Sequence, residues 1–319
     1  MHAFVVKSTG QTGFVRDWFA PSRGPNDVHI RVRACGLNFA DLLMIDGTYQ
    51  ETPALPFVPG LEVCGEVLAR GDDVTALAVG DRVSAYCGSG GLAEEAVVPA
   101  NRCRKVPASM PDTVAAGFQI AYGTSHLALT RRARLMPGET LVVLGAAGGV
   151  GLTAVEIGHA LGARVIGVAR GDSKLDIARR AGADEVLDAT TDDLRGALRA
   201  LGGADVIYDA VGGDLGEAAL RALRPEGRFL AIGFASGQVP KPRLNHMLVK
   251  NIDVIGFYWG GYMAFAPDVL AESLSELIGW HAEDRIHPHI SHVLPFDQTP
   301  EALDLLKTRK ATGKVVVTL

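Results

Sequence analysis

The sequence predicts an α/β protein in which a doubly wound parallel sheet is inserted into a mostly β domain. Between residues 140 and 257, short and continuously apolar strands alternate with helical segments, as in a parallel sheet covered by helices on both faces. Before residue 113, short strands are instead separated by Gly and Pro, which is typical of an irregular β domain. A similar pattern returns after residue 258. The two flanking regions therefore form one domain around the middle one.

The elements are assigned from hydrophobic periodicity and turn residues. The middle region has strands at 140–144, 164–169, 185–187, 205–209, 228–232 and 253–257, and helices at 150–161, 173–181, 194–201 and 215–223. The flanking regions have strands at 28–33, 62–68 and 314–318, helices at 268–280 and 299–308, and a proline-rich connection at 287–295. We place the mostly β domain at 1–115 and 258–319, and the parallel sheet at 116–257.

Composition excludes several classes of protein. The chain has 319 residues, 48% of them hydrophobic and 21% charged, with a formal net charge of -5, which argues against nucleic-acid binding. No apolar run is long enough to cross a bilayer, and the first residues lack the pattern of a secretory signal, so we expect a cytoplasmic protein with no membrane or nucleic-acid partner. Four scattered cysteines predict reduced thiols rather than a disulfide framework.

The strongest motif is a glycine-rich turn between the strand at 140–144 and the following helix. Glycines let the backbone approach a pyrophosphate, and the helix N-terminus offers unpaired N–H groups to its oxygen atoms. The residues expected to bind a dinucleotide here are Gly145, Ala147, Gly148, Gly149, Val150 and Gly151. The alternative is a tight turn without a ligand, which the complete β-α-β context disfavours.

The end of the second strand of this unit selects the dinucleotide. NAD enzymes place a carboxylate there to hold the ribose 2′-OH. This chain has Arg170, and Ser173 and Lys174 follow within one helical turn, so they are positioned to meet a 2′-phosphate. Asp172 lies between them and would repel that phosphate, and a solvated helix start is the other interpretation. The sequence favours NADPH over NADH.

Several segments together resemble the medium-chain dehydrogenase/reductase family, above all its zinc-free quinone oxidoreductases, the zeta-crystallin-like proteins. The resemblance rests on residues 33–41, 59–65, 145–151, 182–184, 209–213, 233–234 and 313–317. It covers nearly the whole chain. It implies a Rossmann domain inserted in a mostly β, GroES-like catalytic domain, and a homodimer formed through the strand at 253–257.

The departures from the zinc-containing members matter as much as the matches. Asn38 stands where those enzymes have a ligand cysteine, and Leu61 stands where they have a ligand histidine. Leucine cannot coordinate a metal, an amide oxygen is a poor zinc ligand, and Glu62 alone makes no site. The lobe with four closely spaced cysteines is also missing. We expect no zinc, and hence hydride delivery to an acceptor whose conjugation absorbs the charge, such as a quinone.

The resemblance places Asn38, Asp41 and Tyr49 on the substrate side of the catalytic cleft. Asn38 either hydrogen-bonds an acceptor carbonyl or satisfies backbone groups in its turn. Tyr49 either donates to the developing oxyanion or packs against a loop. Asp41 is expected to cap a helix start or to hold a neighbouring side chain. The proton donor is left open between Tyr49, water in the site, and solvent after release of the product.

On the cofactor side, the resemblance implies a further group of residues near the nicotinamide or its phosphate. These are Tyr122, Thr124, Gly233, Phe234 and Lys314. For Lys314, solvation at a strand edge is the alternative. His287, His289 and His292 invite a metal site, but no carboxylate or thiolate completes a ligand set, so ordinary histidines are expected.

Two alternatives to quinone reduction stay open. One is reduction of 2-enals or enoyl thioesters on the same scaffold, and the other is a non-catalytic NADPH-binding protein. Short-chain reductases are excluded because no tyrosine is followed by lysine at the Tyr-x-x-x-Lys spacing. A serine hydrolase is excluded because no G-x-S-x-G elbow is present.

Overall fold

The structure is a computed structural model that describes residues 1–19 and 22–319. It divides into two compact units. Unit 1 contains residues 1–120 and 288–319, and unit 2 contains residues 121–287. Residues 258–287 therefore belong to unit 2, whereas the sequence analysis placed them with the β domain.

The elements follow the chain in three stretches. The first has strands β1 (Ala3–Ser8), β2 (Gln11–Val15), β3 (Asp27–Leu37), β4 (Glu62–Arg70), β5 (Arg82–Tyr86), β6 (Glu95–Pro99) and β7 (Cys103–Lys105), and helices α1 (Phe39–Ile45) and α2 (Asp112–Ala116). Helix α3 (Gln119–Leu127) spans the boundary between the units. Unit 2 continues with strands β8 (Thr140–Leu144), β9 (Arg164–Ala169), β10 (Glu185–Asp188), β11 (Ala204–Asp209), β12 (Leu223–Ala231) and β13 (Asp253–Gly256). Its further helices are α4 (Gly149–Ala160), α5 (Asp172–Arg180), α6 (Leu194–Ala200), α7 (Gly213–Leu220), α8 (Leu244–Lys250), α9 (Tyr262–Phe265) and α10 (Pro267–Ala282). The last stretch has strands β14 (Ile290–Pro295) and β15 (Lys314–Thr318) and helix α11 (Thr299–Lys307).

The main sheet of unit 1 is mostly antiparallel. Its strands lie in the order β14-β15-β3-β4-β5-β7, with β6 also paired to β3. Only β14 and β15 run parallel to each other, and β15 pairs with β3 so that Val315 lies opposite Leu37. Along β3, Val28, Ile30 and Val32 are buried while the residues between them are not, which is the alternation of a sheet with one apolar face.

The sheet of unit 2 is parallel throughout, as the apolar strands predicted. Its order is β10-β9-β8-β11-β12-β13. The central strands are buried along their length, and the core is formed by side chains such as Val142, Ile166, Ile207 and Phe229. The strand order reverses between β8 and β11, so the connections from these two strands leave toward opposite faces. The predicted α/β class is confirmed.

Two of the segments that differ from the sequence-based assignment bear on the division into units. The segment predicted as a proline-rich connection contains the strand β14, which lies at the edge of its sheet next to β15, and prolines are tolerated at such an edge. Helix α10 packs Leu270, Leu274 and Leu277 inside unit 2, and its Ser273 hydroxyl contacts His126 Nδ1 at 2.8 Å. This packing against α3 explains why α10 belongs to unit 2.

Candidate functional site

The glycine-rich turn of unit 2 has the geometry expected of an anion-binding helix start. Gly145 has φ of +75°, and its N–H and that of Ala146 both donate to the Val168 carbonyl oxygen. A Cβ on Gly151 would lie 2.1 Å from the Gly145 oxygen, so only glycine allows α4 to pack this closely on the turn. No side chain of the described residues caps the first N–H groups of α4, which begins at Gly149. These N–H groups and the positive end of the helix dipole suit a phosphate.

The turns after four neighbouring strands meet at one edge of this sheet. The glycine turn follows β8, Arg170 follows β9, residues 210–212 follow β11, and Gly233 follows β12. Because these strands are parallel, their carboxyl ends share an edge, and β8 and β11 flank the point where the strand order reverses. Ligands of doubly wound sheets bind at such a point.

The turn after β9 is fixed from behind by a residue that the sequence analysis did not single out. Gly171, with φ of +83°, donates its N–H to Asp188 Oδ2 at 3.0 Å. Hydrogen bonds from the Thr190 hydroxyl and N–H, and from Gly171, lower the pKa of Asp188. Its carboxylate is therefore satisfied inside the turn.

The predicted contacts to the ribose phosphate lie on and beside this turn. Arg170 and Ser173 are exposed, and Lys174 is partly buried in the first turn of α5. Asp172 is exposed in the same helical turn, where the helix dipole favours a carboxylate.

Tyr122 and Thr124 lie on α3 and are buried. The Tyr122 hydroxyl donates to Glu156 Oε2 on α4, and burial together with the charge of Glu156 raises the pKa of Tyr122 well above its usual value. The other oxygen of Glu156 accepts the N–H of His287. Burial raises the pKa of Glu156, because its hydrogen-bond donors are a phenol and an amide rather than a cation. Tyr122 thus orients a largely buried carboxylate.

Gly233 and Phe234 follow β12 at the same sheet edge as the glycine turn. Gly233 donates its N–H to the Asp209 carbonyl oxygen at 3.3 Å, and the Phe234 side chain is 41% exposed. An exposed aromatic ring at this edge offers apolar surface to a planar ligand.

In unit 1, Asn38 lies at the junction of β3 and α1 with every polar side-chain atom engaged. Its Nδ2 donates to the Gly36 oxygen at 3.2 Å and to Glu62 Oε1 at 3.1 Å, and its Oδ1 accepts from Lys314 Nζ at 2.7 Å. These bonds match one of the two roles left open by the sequence, and a contact of Asn38 with an acceptor carbonyl stays a prediction. The Asn38 amide holds backbone and side-chain groups of its own unit.

Asp41 caps α1, as the sequence suggested. Its Oδ2 accepts the N–H of Asn38 at 2.8 Å, and its Oδ1 accepts the N–H of Gly60 at 3.0 Å. The first of these bonds closes the reciprocal capping arrangement at the helix start. Burial raises the pKa of Asp41 to about 6, although both N–H donors and the charge of Lys314 act in the opposite direction.

Lys314 is buried, with 5% of its surface exposed. Its ammonium group donates to the Leu37 oxygen at 2.8 Å, to Asn38 Oδ1 and to Glu62 Oε1 at 2.8 Å. An ammonium has three N–H donors, so all of them are used. Glu62 is 0% exposed, and its second oxygen accepts the N–H of Ile120 at 3.2 Å. The sequence analysis did not identify this pair, because its members are far apart in the chain.

Tyr49 follows α1 in a partly buried turn, where its N–H donates to the Leu43 oxygen at 3.2 Å. Near it, Tyr86 at the end of β5 has its pKa raised by burial and by its interaction with Tyr49. The guanidinium of Arg102 lies 5.8 Å from the centre of the Tyr86 ring. Tyr86 and Arg102 are further candidates for this site that the sequence analysis missed.

The residues at the family's zinc-ligand positions do not fit a zinc ion. Leu61 is buried and supplies no donor atom, and the oxygen atoms of Asn38 and Glu62 already bind the Lys314 ammonium. Within residues 1–19 and 22–319, no group of three His, Cys, Asp or Glu side chains is arranged to hold a metal ion. The histidines at 287, 289 and 292 each have a different partner, namely Asp284, Thr312 and Ser291.

The four cysteines form no disulfide, and three of them are buried. Burial raises the pKa of Cys64 and of Cys103 to about 12, and it raises the pKa of Cys35 and Cys87 as well. These thiols therefore stay protonated near neutral pH.

Comparison with known proteins follows the same division of the chain. Residues 24–108 match the family described as "Alcohol dehydrogenase GroES-like domain", and residues 149–276 match that described as "Zinc-binding dehydrogenase". The quinone oxidoreductase-like protein 2 homolog of Nematostella vectensis is 39% identical over 322 residues, which cover 99% of this chain and 88% of that protein. The human synaptic vesicle membrane protein VAT-1 homolog is 31% identical over 317 residues, covering 93% of this chain and 80% of that protein.

A solved structure extends the likeness over both units. The quinone oxidoreductase of Thermus thermophilus, crystallised also as its complex with NADPH, matches with a TM-score of 0.88 and 32% identity over the full length of both chains. None of the helices in the described part of this chain has the length and apolarity needed to cross a membrane. On its fold and these similarities, the chain belongs to the medium-chain dehydrogenase/reductase family, in the quinone oxidoreductase branch.

Proposed function

We propose that the chain is an NADPH-dependent, zinc-independent reductase of quinone-like acceptors. The observation that carries the proposal is the uncapped start of α4, packed on the glycine turn where the strand order of the parallel sheet reverses. The residues that would hold the pyrophosphate are Gly145, Ala147 and Gly148 to Gly151. NADPH supplies a hydride when bound.

The choice of NADPH over NADH is assigned to the turn after β9. Arg170 is exposed there and no carboxylate ends the strand, while the Asp188 carboxylate is already satisfied by Gly171 and Thr190. We expect the Arg170→Ser variant to lose about tenfold or more of its preference for NADPH, because a charge-assisted bond to the 2′-phosphate is removed. The Arg180→Ser variant, which changes an exposed arginine at the other end of α5, serves as its control.

The class of acceptor is inferred from the residues at the metal-ligand positions. Alcohol oxidation in this family uses a metal to stabilise an alkoxide, and the residues at the ligand positions fit no such ion. An acceptor whose own conjugation spreads the negative charge needs no metal. The names of the similar proteins from Nematostella vectensis and Thermus thermophilus support a quinone.

The proton reaches the reduced acceptor from Tyr49 or from water in this proposal. The Cys35 and Cys87 thiols are poor proton donors because burial raises their pKa. The Tyr122 hydroxyl already donates a hydrogen bond to Glu156, and its raised pKa makes it a weak acid. Among the residues that the sequence places on the substrate side, Tyr49 carries a hydroxyl.

The test is turnover of NADPH and NADH with a panel of quinones, 2-enals and enoyl thioesters. Quinone-dependent oxidation that prefers NADPH supports the proposal. Turnover only with enals or thioesters keeps the cofactor but overturns the acceptor. Tight NADPH binding without turnover of any acceptor identifies a binding protein instead.

A homodimer through β13 is part of the proposal. This strand forms an edge of the sheet of unit 2, and Val254 on it is 45% exposed. An exposed edge strand is ready to pair with a second copy. We expect Val254→Lys to shift the mass measured by light scattering from dimer to monomer, while Val79→Lys, an exposed valine of unit 1, leaves it unchanged. A cytoplasmic location stays a prediction from the sequence.

A further inference from the structure

The Lys314 ammonium lies where four separate segments of unit 1 converge. It comes from the first residue of β15, and it contacts Leu37 and Asn38 at the end of β3 and Glu62 at the start of β4. Glu62 also accepts the N–H of Ile120 in the first turn of α3. One cation and one carboxylate therefore connect the strands β15, β3 and β4, the start of α3 and the residue before α1.

The same place corresponds to the metal position of the zinc-containing relatives. Asn38 and Leu61 stand at the two ligand positions, and Asn38 Oδ1 accepts from Lys314. The positive charge near these two positions is therefore a lysine side chain rather than a bound metal ion. With three acceptors for three N–H groups, it has no donor left for a ligand.

Asn38 links the Lys314 ammonium to helix α1, which precedes the turn with Tyr49. It is the residue before α1, and its N–H is capped by Asp41. Helix α1 ends at Ile45, and the turn that follows carries Tyr49, whose N–H is bonded to Leu43 of the same helix. The Asn38 side chain therefore connects the Lys314 ammonium to the start of the helix whose Leu43 is bonded to Tyr49.

We propose that Lys314 is a positioning residue: its buried ammonium, paired with Glu62, replaces the metal as the permanent cation of the site and fixes Asn38 and α1 so that Tyr49 faces the acceptor. Asn38 acts through the backbone and does not touch the acceptor. The role of Tyr49 in this inference rests on the proposed reductase function. The packing of Lys314, Glu62 and Asn38 does not.

The experiment compares Lys314→Met with the double variant Lys314→Met/Glu62→Gln and with the control Lys310→Met, which changes an exposed lysine. In the single variant we expect a lower Tm and a fall of about tenfold or more in kcat, because misplacement of a catalytic group is costly. The dissociation constant of NADPH should change much less. The double variant should regain most of the Tm, since no charge is left unpaired, but should keep the low kcat.

Recovery of wild-type kcat in the double variant would show that Lys314 only balances charge, and it would overturn the positioning role. Unchanged kcat and acceptor KM in Lys314→Met would overturn it too. A wild-type protein that turns over no acceptor refutes the proposed function, and then a second readout decides the packing. The side-chain amide protons of Asn38, assigned by their loss in Asn38→Asp, donate to Gly36 and Glu62 and should exchange slowly with solvent in the wild type. They should exchange faster in Lys314→Met, because Asn38 Oδ1 and Glu62 lose the ammonium that holds them. Equal exchange in both overturns the inference.

Discussion

Glu62 in unit 1 and Glu156 in unit 2 are both shielded from solvent and contact helix α3, but their hydrogen-bond donors differ in charge. In unit 1, Glu62 accepts from the Lys314 ammonium, from Asn38 and from the N–H of Ile120. In unit 2, Glu156 accepts from the Tyr122 hydroxyl and the N–H of His287. The first carboxylate has a full cation as partner, whereas the second has only neutral donors.

This difference decides how the protein responds to substitution of each glutamate. Burial removes water from a carboxylate, and a nearby cation compensates for that loss far better than neutral dipoles do. Burial accordingly raises the pKa of Glu156. The pair in unit 1 is therefore sensitive to the loss of either partner, while the carboxylate in unit 2 tolerates neutralisation.

The same substitution at both glutamates gives the largest contrast. Glu62→Gln leaves the Lys314 ammonium buried without its counter-charge, and we expect a loss of about 3–5 kcal/mol in the free energy of unfolding. Urea unfolding at neutral pH measures it. The control Glu301→Gln, an exposed residue in the first turn of α11, should stay within about 0.5 kcal/mol of the wild type. A loss below about 1 kcal/mol for Glu62→Gln would mean that the pair is not essential to the fold.

Asp41 shows whether the hydrogen-bond donors of a buried carboxylate or its location in unit 1 decides its behaviour. It lies in unit 1 but accepts from two N–H groups, and its pKa is raised to about 6. A carboxyl group with a raised pKa in the folded state contributes stability that is complete below its unfolded pKa of about 4. That stability is lost as the pH rises through about 6.

The wild type should therefore lose up to about 3 kcal/mol of stability between about pH 4 and pH 7 through this group. Asp41→Asn lacks that loss, so the difference in unfolding free energy between the two proteins should shrink as the pH rises. Asp46→Asn, at an exposed position just after α1, is the control and should follow the wild type. Parallel curves for Asp41→Asn and the wild type would contradict the raised pKa.

Glu156→Gln is expected to have the smaller effect of the two matched substitutions. The amide keeps an acceptor for the Tyr122 hydroxyl but turns a donor toward the N–H of His287, at a cost of about 1 kcal/mol. Removal of a charge that burial disfavours offsets part of that cost above the raised pKa. Thermal unfolding of Glu156→Gln and Glu62→Gln at the same pH compares them, and an equal loss in both would break the contrast.

Removal of metal ions should have no effect at all. If the Lys314 ammonium takes the place of a metal ion beside Asn38 and Glu62, prolonged treatment with a chelator and dialysis leave the rate of NADPH oxidation unchanged. A rate that falls with chelator and returns with zinc would contradict both the reductase proposal and the inference about Lys314.

The sequence predicted unit 2 far better than unit 1. The strands at 140–144 and 164–169 were assigned to the residue, because continuously apolar runs bounded by glycine turns define buried parallel strands. In unit 1, β5 contains Arg82 and Ser84 and β14 is a partly exposed edge strand, so neither shows a continuous apolar run in the sequence. A hydrophobic pattern over a few residues does not indicate which strand, elsewhere in the chain, those residues pair with.

The candidate site divides in the same way. The glycine turn and Arg170 are local features of the sequence, and both lie at one edge of the sheet of unit 2. The meeting of Glu62 with Lys314 depends on strand register, in which Gly36 lies opposite Glu62 and Leu37 opposite Val315. No spacing rule encodes that register. The sequence accordingly left the role of Asn38 open.

Strand β15 lies inside the sheet of unit 1, between β14 and β3. Unit 2 is one continuous stretch of chain, so its sheet can form on the ribosome as soon as residues 121–287 have emerged. Unit 1 must wait for residues 314–318, and until then β3 keeps an unpaired edge and Glu62 has no cation. The inserted unit is thus complete while the unit around it is still open, and exposed edges of that kind are where nascent chains need protection from aggregation.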